Sequence, residues 1–196
     1  MMALVMTAPP PARASEIDRA TLDRARAGDA MGIRAFVVRY ERPVFALLSR
    51  IMGPGPHVED LAQETFLRAL RALPAFDPDG AARVSTWLLT IATRLALDAR
   101  KKRTLRTVPL EEGFPVAGPS NPEAESVRAD LGRAISRAAA ELSEDMRAAF
   151  VLADVHGFTM GEIADALAIP ENTAKTRVFR ARQHMRERLA GERSGA

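Results

Sequence analysis

Between Thr107 and Ser126 the chain reads TVPLEEGFPVAGPSNPEAES, with four prolines, two glycines and four glutamates and no sustained hydrophobic period. Proline has no amide donor and clashes with the preceding helical turn, so no regular element runs through such a stretch. On either side of it, apolar residues recur at helical spacing almost without a break. This pattern predicts an all-α protein: two small helical domains, 16–106 and 127–191, joined by a flexible acidic linker, 107–126, and preceded by a disordered tail, 1–15. Fully extended, the linker spans at most roughly 70 Å. Pro9, Pro10 and Pro11 keep the tail from forming a helix.

The first unit reads as a succession of helices. Ser15 is a candidate N-cap for a helix ending near Gly28, and Asp29 for a second helix through Tyr40. Pro43 falls at the start of a further helix, which Gly53-Pro54-Gly55-Pro56 ends. In VEDLAQETFLRALRAL the buried stripe is Leu61, Ala62, Phe66, Ala69, Leu70 and Leu73, leaving Asp60, Gln63, Glu64 and Arg68 on a polar face. From spacing alone that face is a solvated one or a docking one. A loop holding Phe76 and Ser85 leads into VSTWLLTIATRLALDARKKR, where Trp87, Leu88, Ile91, Ala92 and Leu95 form a core seam. Phe76 and Ser85 are placed where an unstacked base could lie, although a loop Phe is as often anchored in its own core. Arg100, Lys101, Lys102, Arg103 and Arg106 gather at this helix's end, where cations suit the helix dipole and can grip a nucleic-acid backbone.

The last stretch carries the sharper pattern. Ser143 is the candidate N-cap of a helix finishing at Gly157. Thr159-Met160-Gly161-Glu162 fits a capping box, and Ile163, Ala164 and Leu167 give the following helix an inward face. Ala168-Ile169-Pro170 makes a tight turn, with Pro170 suited to the first position of the next helix; Ala168 stands where such turns often carry Gly, and costs little if φ stays negative. Ala174, Val178 and Ala181 then pack inward, and Asn172, Thr173, Lys175, Thr176, Arg177 and Arg180 remain outside. This is a helix-turn-helix: one helix braces, and the second offers its N-terminal end to the major groove. From Glu171 to Leu189 there are six Lys or Arg against two Glu, a net charge of +4 on one helix. Phosphates are attracted to such a helix whatever the base sequence, while Asn, Thr and Arg near its start reach base edges.

Other chemistries find little support. With no cysteine, disulfides and thiolate metal sites are excluded. His57, His156 and His184 lie far apart with no carboxylate at ligand spacing, so no metal or other cofactor is expected. Asp77-Pro78-Asp79-Gly80 begins like a calcium loop, but Ala81 and Leu88 stand where ligands should follow, which makes it a turn. No phosphate-cradling glycine loop or nucleophile–base pattern points to catalysis or to a small-molecule substrate. The apolar run in MMALVMTAPPPARA is too short for a signal peptide, and nothing approaches a membrane span. A cytoplasmic protein without direct membrane insertion is expected.

Taken together, DLAQETFLRALRALPAFDPDG, STWLLTIATRLALDARKKR, the proline-rich linker and FTMGEIADALAIPENTAKTRVFRARQHMRERL resemble an extracytoplasmic-function sigma factor, the smallest class of the bacterial sigma-70 family. The resemblance runs from about residue 16 to about residue 190. It implies an alternative sigma factor whose partners are core RNA polymerase, promoter DNA and an anti-sigma factor that silences it, often from the membrane. Asp60, Gln63, Glu64 and Arg68 would dock on the clamp helices of the polymerase. Phe76, Ser85 in the following loop, Arg94, Arg100, Lys101 and Lys102 would hold the melted −10 strand. Asn172, Thr173, Lys175, Thr176, Arg177, Phe179 and Arg180 would read the −35 duplex, Phe179 from beside the backbone. Such elements lie about two and a half turns apart, near 85 Å at ~34 Å per turn. Glu111 and Glu112 of the linker would suit a basic channel near the RNA path. Two other readings compete: a conventional dimeric helix-turn-helix regulator, which needs a dimer seam or effector pocket, and a helical adaptor with an acidic partner.

Overall fold

The computed structural model describes residues 15–104 and 132–193, and every regular element among them is helical. The first group is α1 (Arg19–Arg26), α2 (Ala30–Met52), α3 (Pro56–Ala72), a 3-10 turn (Leu73–Ala75) and α4 (Val84–Thr104). The second is α5 (132–140), α6 (Glu144–Phe150) widening into a π turn (Val151–Val155), α7 (Met160–Leu167) and α8 (Glu171–Arg193). The expected linker, 107–126, and nearly all of the expected tail lie outside the described residues, as do Arg106, Glu111 and Glu112.

Helix starts follow side-chain chemistry. Asp18, not Ser15, caps α1 by accepting the Thr21 amide at 2.9 Å, and Asp29 caps α2 through the Gly32 amide at 2.8 Å. Gly28, at φ +82°, makes the reversal between them. Gly32 is needed for another reason: a Cβ there would sit 2.6 Å from the Ala25 nitrogen, so α1 and α2 meet backbone to backbone.

Pro43 does not divide α2 as its sequence position suggested; it lies inside one continuous helix of 23 residues. Losing one amide donor and accommodating the ring costs ~3 kcal/mol. Tyr40, Val44, Leu47 and Leu48, all fully buried around it, hold the helix through that position. They pack with Phe36 and Ile51 against Ala62 and Ala69 from α3, Leu73 from the 3-10 turn, and Leu88, Ala92 and Ala96 from α4. Thr65 and Thr93 are buried in the same core, each hydroxyl donating to a carbonyl four residues back, Leu61 O at 2.7 Å and Leu89 O at 2.8 Å.

In the second group Ser143 caps α6, and Gly157, at φ +67°, follows the π turn, both as the sequence indicated. The π turn itself has no clear mark in the sequence. Arg147 is buried and donates to Ala139 O, Ala140 O and Leu142 O at 2.9, 2.5 and 3.2 Å, closing off the end of α5. Ala138 and Leu142 then meet Ala181 and Met185 of α8 in a small separate cluster. Among the described residues, no helix is long and apolar enough to cross a membrane.

Candidate nucleic-acid interface

The α7–turn–α8 unit is assembled almost entirely from local bonds. Thr159 accepts the Glu162 amide at 3.2 Å while Glu162 accepts the Thr159 amide at 2.7 Å, so the capping box forms in both directions. The turn pivots on Ala168, whose φ of 52° and ψ of 50° are left-handed, so the condition of negative φ under which an alanine costs little here is not met. The Ile169 amide reaches back to Ala164 O at 3.0 Å, and that closure imposes the left-handed residue before it. Pro170 stands just before α8 rather than at its first position, its carbonyl accepting the Thr173 and Ala174 amides at 2.9 and 3.1 Å.

Ala174, Val178 and Ala181 are buried as their spacing predicted, so α8 turns a defined face outward. Asn172, Lys175, Thr176, Phe179 and Arg180 are exposed on it, with Thr173 half-buried at its edge. Phe179 is 63% exposed, an aromatic ring held in solvent among cations. Lys175 pairs with Glu171 at 2.7 Å on this surface, and the Thr176 hydroxyl donates to Asn172 O at 2.9 Å. Arg177 differs from the outward residues beside it: half-buried, it pairs with Asp145 of α6 at 2.5 Å. Arg182 similarly pairs with Asp154 at 3.0 Å. These two arginines fix the roll of α8 about its axis and thereby aim the exposed face.

The surface around α4 is put together differently. Phe76, which the sequence left either facing an unstacked base or anchored in the core, is only 7% exposed and packs against Trp87 with ring centroids 5.0 Å apart. Ser85 is 6% exposed; its hydroxyl donates to Glu16, and its amide donates to the other Glu16 oxygen at 3.3 Å. For Phe76 the core-anchored alternative is the one found, while Ser85 departs from an open position. The physical reason is that the N-terminus of α4 needs acceptors for its free amides, and Glu16 supplies one from 69 residues away. Asp77 accepts the Asp79 amide at 3.0 Å, confirming a turn, and Asp79 pairs with Arg19 at 2.6 Å.

At the far end of α4, Lys101 and Lys102 are exposed. Arg94 donates to Asp165 O at 2.8 Å, and Arg100 bonds both Ile51 O and Glu144. On α3, Asp60, Gln63 and Arg68 are exposed and Glu64 is half-buried, with Arg68 and Glu64 paired at 2.6 Å. Leu67 lies among them 49% exposed, an apolar centre that the reading of a polar face passed over although its spacing from Asp60 and Gln63 was visible. Where the two groups meet, His156 Nε2 is buried with no hydrogen-bond partner. Burial, with the Arg50 guanidinium adding to it, pushes that imidazole down to about 4.

A helix-turn-helix with an exposed cationic face, carried beside a second helical unit ending in exposed lysines, defines a DNA-reading protein. Residues 36–106 match Sigma-70 region 2, and residues 132–185 match Sigma-70, region 4. The chain is 34% identical over 176 residues to the ECF RNA polymerase sigma-E factor of Escherichia coli (strain K12), covering 85% of this chain and 91% of that one. It is 30% identical over 178 residues to the RNA polymerase sigma-H factor of Pseudomonas aeruginosa, covering 86% and 91%. The chain therefore belongs to the sigma-70 family, in its extracytoplasmic-function class, and is an alternative sigma factor.

Two solved structures share the fold. The sigma factor RpoE in complex with the anti-sigma factor NepR from Bartonella quintana has a TM-score of 0.64 at 21% identity, over 80% of this chain and 96% of that one. CnrH in complex with the cytosolic domain of CnrY has a TM-score of 0.62 at 23% identity, over 89% and 97%.

Proposed function

We propose that the chain divides its work as 16–106 for polymerase docking and the −10 element, 107–126 as connector, and 127–191 for the −35 element. The observation that carries this reading is the face of α8, where Asn172, Lys175, Thr176, Phe179 and Arg180 stand exposed over a fully buried Ala174–Val178–Ala181 seam. In the major groove, Asn172, Thr176 and Arg180 make the hydrogen bonds that distinguish bases. Lys175 neutralises phosphate, and Phe179 lies against the sugar–phosphate edge. Thr173 contributes at the groove margin, and Arg177 acts by positioning α8 through Asp145.

On the other unit, Lys101 and Lys102 track the backbone of the melted strand, joined by Arg94 and Arg100. Phe76 and Ser85 shape the loop from inside, through Trp87 and Glu16. Asp60, Gln63, Glu64 and Arg68, with Leu67 between them, dock core polymerase. Bond-making belongs to the polymerase, so the chain itself is not an enzyme, and it works in the cytoplasm where polymerase and promoters are. An anti-sigma factor, membrane-bound or soluble, holds it inactive; the solved relative bound to an anti-sigma factor supports a partner of this kind.

Run-off transcription with core polymerase and a library of promoter templates tests the reading. Promoter-specific transcripts that appear with the protein and vanish with Lys175→Ala/Arg180→Ala support it. Duplex binding without initiation on any template rejects it in favour of a conventional regulator. Affinity capture of the tagged chain from cells tests the silencing partner: recovery of core polymerase alone rejects that partner.

A further inference from the structure

We propose that the stretch from Glu16 to Arg26 is the frame of the 77–83 loop, and that Arg19 is a positioning residue which, through Asp79, sets the base this loop accepts from the melted −10 strand. The proposal rests on the reading that the loop meets that strand. Residues 16–26 precede the residues 36–106 that match Sigma-70 region 2. Base choice is then governed in part from outside that region.

Three ties run from this stretch to the loop. Ahead of it, Arg26 donates to Pro74 O at 3.4 Å. Within it, Arg19 donates to both carboxylate oxygens of Asp79, at 2.6 and 3.1 Å. Just past it, Glu16 accepts the Ser85 amide at 3.3 Å and the Ser85 hydroxyl. The ties are themselves fixed. Asp23 stands between the two arginines along α1, accepting Arg19 through one oxygen at 3.0 Å and Arg26 through the other at 3.1 Å. Glu16 is held by Tyr40, a buried residue of α2, whose hydroxyl donates to it at 3.2 Å and accepts the Ile17 amide at 3.1 Å.

The Arg19–Asp79 pair serves aim rather than stability. Both side chains are exposed, and an exposed ion pair adds little to folding. Two parallel bonds from a planar guanidinium nonetheless fix direction as well as distance. Arg19 also holds the Asp79 carboxyl below the usual carboxylate range, so the pair stays charged at neutral pH. Within the loop, Asp77 makes the turn, its side chain accepting the Asp79 amide at 3.0 Å and its carbonyl the Gly80 amide at 3.3 Å. Gly80, Ala81 and Ala82 follow, all exposed and with little side chain to offer a base. What they offer instead is main-chain donors and acceptors, the kind of group that hydrogen-bonds the edge of an unstacked base. Such groups discriminate only as well as they are aimed, and the grip of Arg19 on Asp79 aims them.

Run-off transcription by the full-length chain and core polymerase, on templates randomised across the −10 element, measures base choice as a ranking. Arg19→Ala and Asp79→Ala should each flatten the ratio between best and worst base by about tenfold, the order of loss expected when a reading group is slightly misplaced. The double variant should be no worse than either single, because both break one pair. The ranking at −35 and the urea midpoint should stay as in the unmodified protein. Three results overturn the proposal. One is an unchanged −10 ranking in both single variants. Another is effects that add in the double variant, so that the two residues act separately. The third is a lower midpoint with equal loss on every template, which is a structural role alone. Ala81→Glu, at the exposed part of the loop, separates these from failure of the reading beneath. If Ala81→Glu alters the −10 ranking and the pair does not, the positioning role falls alone. If neither does, the loop is not where the −10 strand lies.

Discussion

Both α8 and α4 present cations from a long helix, yet one is framed within its own unit, by the cap and turn just before it and by Asp145 and Asp154, and the other by residues far along the chain. The cap, brace and turn of α8 come from Thr159, Glu162 and Ala168, all within a dozen residues of its start. The N-terminus of α4 is held by Glu16, its preceding loop by Arg19, and its middle and end by Asp165 and Glu144. A locally built surface can stay exposed in every state of the protein, because nothing distant has to move to uncover it. A surface built from distant parts can be withheld, because each distant part is a contact that can open.

The largest expected effect lies on the displayed surface. On the proposed reading, Arg180→Ala with Lys175→Ala removes a base contact worth about 1–3 kcal/mol and a phosphate contact beside it, so promoter-specific transcription should fall on the order of 100-fold. The counterpart on α4, Lys101→Ala with Lys102→Ala, should behave differently. Binding weakens on all sequences alike, and the slope of log K against log salt falls by about 1.4, because two lysines no longer neutralise phosphates of a single strand. If the α4 pair instead changes which promoters are chosen, the division between specifying and gripping surfaces is wrong. Fluorescence anisotropy across a salt series measures both.

His156 tests the seam between the two units. In the folded chain its imidazole sits down at about 4, against 6.5 in the unfolded chain, so the folded state binds fewer protons between those values. Its contribution is therefore fully present above pH 6.5 and is lost as pH falls from 6.5 toward 4, a change of at most about 3 kcal/mol. The ring keeps some solvent contact, which places the expected loss below that ceiling. Urea denaturation from pH 7.5 to 4.5, set against His156→Gln, isolates it from the carboxylates that titrate below. A parallel pH dependence in the two proteins would show that the seam does not exclude water from this ring.

How much of this could be read from the chain follows the same line between local and distant. The capping box, the buried Ala174–Val178–Ala181 seam and the exposed set on α8 were legible, since each rests on spacings of three or four residues. The helix through Pro43 was not, because only tertiary burial of Tyr40, Val44 and Leu47 outweighs the proline. The inward turn of Phe76 and Ser85 depends on Trp87 and on Glu16, the latter at a separation no local pattern encodes. Glu16→Ala puts a number on that dependence. Loss of a carboxylate at a helix N-terminus costs about 1–2 kcal/mol, read as a lower denaturation midpoint. Proteolysis should then start in the 77–83 loop. An unchanged midpoint would mean that the 77–83 loop is held by its own Asp77 turn and that α4 is more locally built than its bonds to Glu16 and Asp165 indicate.

The smallest effect expected comes from the one place where the local surface carries strain. Ala168 is the only described residue other than glycine with positive φ, and its Cβ gains nothing in return, since the residue is exposed. A left-handed alanine costs roughly 1–2 kcal/mol, and glycine relieves this while giving back part through the greater freedom of the unfolded chain. Ala168→Gly should therefore stabilise the protein by about 1 kcal/mol or less, with no change in duplex binding, because the turn geometry that aims α8 is already the one glycine prefers. A stabilised variant that also binds duplex more tightly would show that the strained turn holds α8 slightly off its best angle. In that case the displayed surface, too, is partly withheld.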